Sequence, residues 1–151
     1  MRLLYGEPER VAAWVTERIP DMVIEAGTYQ AIGIVDDSEN LIAGVIYNHY
    51  TGSDISMHVA AEHGRLWAKP EILHGLFAFP FNQLNCRRVT GFVDSTNLHT
   101  LSFDQKLGFR IEGRLRDATP HGDMFILGMT RKECRWLETK NGKIDQNRSA
   151  A

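Results

Sequence analysis

A histidine set in a short polar–apolar alternation is the first residue here whose type and place suggest chemistry. Across 54–60, Asp54, Ser56 and His58 fall on one side of an extended chain, and Ile55, Met57 and Val59 on the other. A mid-sheet strand with one polar face turns that face into a cleft rather than a core. His58 is the first candidate for a general base, directly or through water. Imidazole titrates near neutrality, and the most effective base has a pKa near the working pH. Asp54 is the second, either as a base or as the group that orients His58. The competing reading for both is that they line a wet end of the sheet. His49, in Tyr47-Asn48-His49-Tyr50, faces the same cleft or marks a strand end at the surface. His63, His74, His99 and His121 have neither i, i+4 partners nor Cys/Asp ligand spacing, so no zinc motif is present. No G-x-S-x-G elbow and no Walker loop occurs.

These side chains need a scaffold, and the sequence alternates cleanly enough to sketch one. Segment 8–19 places Val11, Trp14, Val15 and Ile19 at helical spacing behind Pro8 and Glu9, which suit a first turn. Strands are expected over 30–35, 41–50 and 54–60, with Asp36-Asp37-Ser38-Glu39-Asn40 as a tight turn and Thr51-Gly52-Ser53 as a break. Segment 70–84 is apolar on most sides and reads as a largely buried helix, kinked or ended by Pro80. Its Phe77, Phe79 and Phe81 read as core packing. Segment 88–93 suits a strand covered on both faces. A helix over 97–107 has Asn97 as N-cap and Gly108 at its C-terminal exit. Phe109, Ile111, Gly113 and Leu115 then alternate with Arg110, Glu112, Arg114 and Arg116, an antiparallel strand with one wet face near an edge. The arginines form either an anion-reading stripe or a solvated face. A last strand starts at 123 and ends near 131, with a possible extension to 137. As an edge strand, 123–137 offers a pairing surface for a homodimer. The order α-β-β-β-α-β-α-β-β gives a mixed α/β sheet with helices on both faces and a parallel pair at its centre.

Composition sets the outer bounds. The 151 residues are 43% apolar and 24% charged, enough for one cored domain. The longest run free of Asp, Glu, Lys and Arg, 72–86, is shorter than the ~20 apolar residues of a membrane helix and is broken by Pro80, Asn82, Gln83 and Asn85. No membrane partner is expected. A formal net charge of −2 carries no nucleic-acid footprint. Cys86 and Cys134 stand far apart, and the opening MRLLYGEPER has no apolar signal region. Reduced thiols and a cytoplasmic location are the expectation. Segment 138–151 reads as a tail beyond a single domain at 1–137.

One stretch carries a resemblance. Val93-Asp94-Ser95-Thr96-Asn97-Leu98-His99-Thr100, followed by Lys106-Leu107-Gly108-Phe109 and Glu112-Gly113-Arg114-Leu115-Arg116, resembles the GCN5-related N-acetyltransferases (GNAT), nearest to their RimJ/RimL-type branch. Gly122-Asp123 before an apolar strand adds to it. The resemblance implies a GNAT-like fold whose two central parallel strands, 54–60 and 88–93 here, splay apart. It implies acetyl-CoA as co-substrate, its arm lying in that gap against Met57 and Val59. Its pyrophosphate would rest at the N-terminus of the helix from Pro70, where free amides and the helix dipole meet anions. The acceptor would be a primary amine: a protein N-terminus, a lysine or a small molecule.

The family's phosphate loop is rich in glycine, whereas this chain reads Gly64-Arg65-Leu66-Trp67-Ala68-Lys69. Arg65 and Lys69 would then meet phosphate with side chains. Trp67 has to turn outward, or else the loop takes another path beside Ala68. Asn97 and Thr100 match positions that contact the cofactor in that branch; Thr100 reads equally as a helix-interior threonine. Where many members carry a tyrosine that returns a proton to the leaving thiolate, this chain has Asp104. An ionised aspartate cannot donate, which leaves that role to water or Ser102. The alternative reading is a non-catalytic binding or accessory module on the same fold, of phage or mobile-element origin included.

Overall fold

The computed structural model describes residues 1–62 and 64–138. The readings made for His63 and for the tail from 139 onward lie outside the described residues. Seven strands form one mixed sheet: β1 (Arg2–Leu4), β2 (Tyr29–Val35), β3 (Leu41–Asn48), β4 (Ser56–Ala61), β5 (Arg88–Asp94), β6 (Arg110–Thr119) and β7 (Gly122–Thr130). Their order across the sheet is β1-β2-β3-β4-β5-β7-β6, with β4 and β5 the parallel pair.

Three helices flank this sheet. α1 (Pro8–Thr16) buries Val11, Ala12 and Val15 on one face, against Ala31, Ile46 and Ala60. It can approach because Gly33 and Gly44 face each other across β2 and β3. A Cβ on Gly44 would lie 2.8 Å from Val15 Cγ2. α2 (Pro70–Ala78) and α3 (Leu98–Leu107) cover the opposite face, where Ile72, Leu73, Leu76, Phe77 and Leu107 join Val45, Tyr47, Met57, Val89 and Leu127 in the larger core. Phe77 and Phe81 lie in that core, as their spacing implied. Pro80 ends the α-helical ladder, and the chain makes a wider π-type turn over Phe79–Gln83 in which Leu84 N–H reaches Phe79 O. Asn97 caps α3, its Oδ1 accepting from Thr100 N–H at 3.1 Å, and Gly108 leaves the helix at φ +121°.

Three expectations change. A short β1 precedes α1; three residues are too few to show a period. The last strand stops at Thr130, where two 3-10 turns, Arg131–Glu133 and Arg135–Leu137, bring Leu137 into the core. It is also not an edge. β7 runs between β5 and β6, so the homodimer surface assigned to 123–137 is already paired, and β6 is the outer strand. Among the described residues no helix is long and apolar enough to cross a membrane.

Candidate functional site

The central pair is joined at one end only. Ser56 and Thr90 are the single register pair between β4 and β5; beside it Thr90 N–H donates to Ile55 O at 2.9 Å. Just before it, Arg87 and Arg88 N–H both reach Ser53 O. β4 continues to Ala61 and β5 to Asp94 without further pairing. Backbone groups alternate sides along a strand, so the amide of Val59 shares the β5-facing side of the Ile55 carbonyl and looks into the gap. Its side chain, 39% exposed, marks the opening, whereas Met57, two residues nearer the bridge, is buried in the core.

His58 lies on the α1 side of this opening. Its Nε2 is 2.8 Å from Asn48 Oδ1 and its ring stacks on Phe92 of β5, with centroids 6.3 Å apart and planes at 12°. With Nε2–H donating to that amide oxygen, Nδ1 is the free acceptor. Burial, and secondarily the neighbouring His49, push the His58 pKa down to about 4. At neutral pH it is an uncharged acceptor.

Asp54 is engaged elsewhere. Both its oxygens accept from Thr90 Oγ1, at 2.8 and 3.0 Å, and Arg88 Nε stands 3.6 Å away. The group that fixes His58 is thus Asn48, which sequence reasoning did not single out. Its opposition to Ser56 across β3 and β4 was the available signal, and that needs the register.

The segment before α2 takes the inward path. Trp67 is only 4% exposed; its indole packs edge-on against Phe103 of α3, 5.9 Å between centroids. It does not turn outward to meet a ligand. Arg65 lies over the same Phe103 ring, 4.8 Å from its centroid, and donates to His99 O at 3.4 Å. Ala68 is half-buried, while Lys69 is exposed at the α2 N-cap. Pro70 follows as the first helical residue and Glu71 occupies the first turn. The free amides there suit an anion, though Glu71 offsets part of the dipole's attraction.

On α3, Thr100 and Asp104 are one turn apart and both half-buried. Burial lifts the Asp104 carboxyl to about 7. This corrects the expectation of an ionised side chain: near neutrality a large fraction carries a proton. Arg110 and Arg114 of the β6 stripe pair with Glu133 and Asp123 at 2.5 Å each, as on a solvated face. No metal-holding group of three or more His, Cys, Asp or Glu occurs among the described residues.

Neither a protein-family model nor a curated protein sequence matches this chain. Solved structures do. A variant of the spermidine N-acetyltransferase SpeG from Vibrio cholerae superposes with a TM-score of 0.74 at 14% identity, covering 91% of this chain and 98% of that one. SpeG from the same organism in complex with manganese ions, described as a spermidine/spermine N-acetyltransferase, gives 0.70 at 13%, over 85% and 91%. Another SpeG variant gives 0.70 at 16%, over 90% and 95%. With its splayed central strands, this chain has the GNAT fold.

Proposed function

We propose that this protein is an N-acetyltransferase that moves an acetyl group from acetyl-CoA to a primary amine by direct transfer. The observation that carries the reading is the β4/β5 opening beyond Ser56 and Thr90, with His58 on its rim. The thioester arm would lie along β4 at Val59, with the phosphates toward the first turn of α2, Arg65 and Lys69. Those groups fit an anionic, extended co-substrate. The inward Trp67 keeps its ring out of the phosphate path, so that the first-turn amides of Glu71 and Ile72 and the two basic side chains supply the contacts, the Ala68 and Lys69 amides being held by Arg65 O and Trp67 O.

The uncharged amine nitrogen attacks the thioester carbonyl, forming the C–N bond. A β4 amide directed into the gap stabilises the developing oxyanion. Collapse breaks the C–S bond, and the electron pair leaves on sulfur. The nitrogen sheds one proton to water. With a pKa near 4, His58 does not strip an ammonium; its Nδ1 accepts a hydrogen bond from the incoming neutral amine and aligns it. Protonated Asp104 returns a proton to the thiolate and is recharged from water.

Calorimetric titration with acetyl-CoA, followed by thiol release across an amine panel, tests the reading. Saturable binding and amine-dependent thiol release are expected. Absence of binding at millimolar acetyl-CoA would overturn it. The panel includes spermidine, the acceptor named for the structural neighbours, together with a lysine peptide and a peptide with a free N-terminus.

A further inference from the structure

Among the described residues, half of one sheet face carries no helix. α1 covers β2, β3 and part of β4, but beyond them β5, β7 and β6 present apolar side chains on the same side. Phe92 is 40% exposed and Leu115 is 45% exposed, with Ile126 and Met124 half-buried between them. The register assembles these four. Phe92 lies opposite Ile126 on β7, and Met124 lies opposite Leu115 on β6. Gly113 faces Ile126 from the outer strand, so no β6 side chain overhangs the patch there. The shelf starts at the site itself, because Phe92 is the ring stacked on His58. An open aromatic ring in mid-sheet, next to the opening where chemistry is proposed, is unburied apolar surface that a ligand can cover.

The charge pattern narrows the ligand. The carboxylates along these strands are already engaged. Asp54 is held by Thr90 and Arg88, and Glu112 accepts from Arg88 at 2.7 Å. Asp123 takes Arg114 and the Asp117 amide, and Asp94 takes the Thr96 amide and hydroxyl. Asp117 sits in the irregular stretch between Leu115 and Thr119, towards the hairpin tip and past the shelf. A polycation needs several free carboxylates along its length, and this shelf offers a phenyl ring and aliphatic side chains.

Building on the acetyltransferase reading, we infer that the acceptor is a primary amine with an aromatic or bulky aliphatic body, seated on Phe92, Ile126, Met124 and Leu115, and not a polyamine. The transfer step is unchanged; only the body of the amine is specified. The test compares kcat/KM for 2-phenylethylamine, tryptamine, ethanolamine and spermidine at fixed saturating acetyl-CoA. The arylalkylamines are expected to exceed both others by at least about tenfold. Phe92→Ala should cut that advantage about tenfold, mainly through KM, and Phe92→Leu should keep part of it. Spermidine equal to or better than the arylalkylamines overturns the inference and leaves acetyl transfer standing. An advantage that survives Phe92→Ala does the same. No acetylation of any amine by protein that binds acetyl-CoA rejects the transfer reading and this inference together. Loss of a dimer on Phe92→Ala in sedimentation, with selectivity intact, assigns the shelf to a second copy and overturns the inference.

Discussion

Two half-buried groups in this site are displaced from their ordinary protonation in opposite senses, and one cause serves both: burial penalises the charged form. For Asp104 the neutral acid is favoured, with a pKa about 7 in place of 3.8. If it returns the proton to the leaving thiolate, kcat declines as pH rises through about 7. Asp104→Asn should lower kcat and abolish that limb, which a pH–rate profile reads directly. Stability falls with rising pH as well. Between 3.8 and 7 the folded chain binds more protons than the unfolded one, so stability falls as pH rises through that window. Asp104→Asn should therefore gain roughly 2 kcal/mol at pH 8 by urea denaturation, after allowance for residual exposure. For His58 the unfolded chain binds the extra proton, between 6.5 and about 4. Its contribution is present above 6.5 and is lost as pH falls toward 4, about 2 kcal/mol in all. His58→Gln should flatten that acid limb; an unchanged limb would detach it from this residue. Neither shift was legible in the sequence. Residue type and helix position could be read there, but desolvation depends on what packs around a side chain.

At the level of elements, the alternation of 109–116 announced β6 as a strand with a wet face, and the apolar runs of 30–35 and 41–50, bounded by turn residues, announced β2 and β3, which are buried along most of their length. The N-cap at Asn97 and the exit at Gly108 framed α3 for the same local reasons. What failed was non-local. β7 is as apolar as an interior strand should be, but nothing in its own residues says that the chain inserts it between β5 and β6. Trp67 is the sharpest case. In a loop with no glycine pair it had either to turn outward or to send the loop along another path, and it is inside because Phe103, thirty-six positions further on, offers an aromatic edge. Removing that ring leaves a cavity in the larger core between the pre-α2 segment and α3. Trp67→Ala should cost about 3–5 kcal/mol in chemical denaturation. Trp67→Phe should recover much of it. A near-neutral Trp67→Ala would mean that the segment folds back without its anchor.

Across the whole molecule the opening has a closed end, and a polar strap holds that end. Asp54, just before β4, grips Thr90 and Arg88 on β5; Arg88 reaches on to Glu112 on β6, and the pair passes over Gly128 of β7, where a Cβ would collide with both side chains. Asp54, Thr90, Arg88 and Glu112 thus tie together the two halves of the sheet at the point where β4 and β5 part. Asp54 was marked in the sequence as a possible base, and its type and strand face were right for that. Its partners assign it a different task, which is separable by experiment. As part of the strap, Asp54→Ala should destabilise the fold by about 1–3 kcal/mol, because the buried Thr90 hydroxyl loses its carboxylate acceptor and the Arg88 guanidinium loses one of its two carboxylate partners. Thr90→Val should cost a similar amount, and the double variant should cost less than the sum, since the two changes remove one shared interaction. Acetyl-CoA affinity should weaken in all three as the gap loses its fixed width, while the pH dependence of kcat keeps its shape. A base would behave otherwise. Asp54→Asn would then abolish turnover and its pH limb while leaving denaturation midpoint and co-substrate affinity where they were.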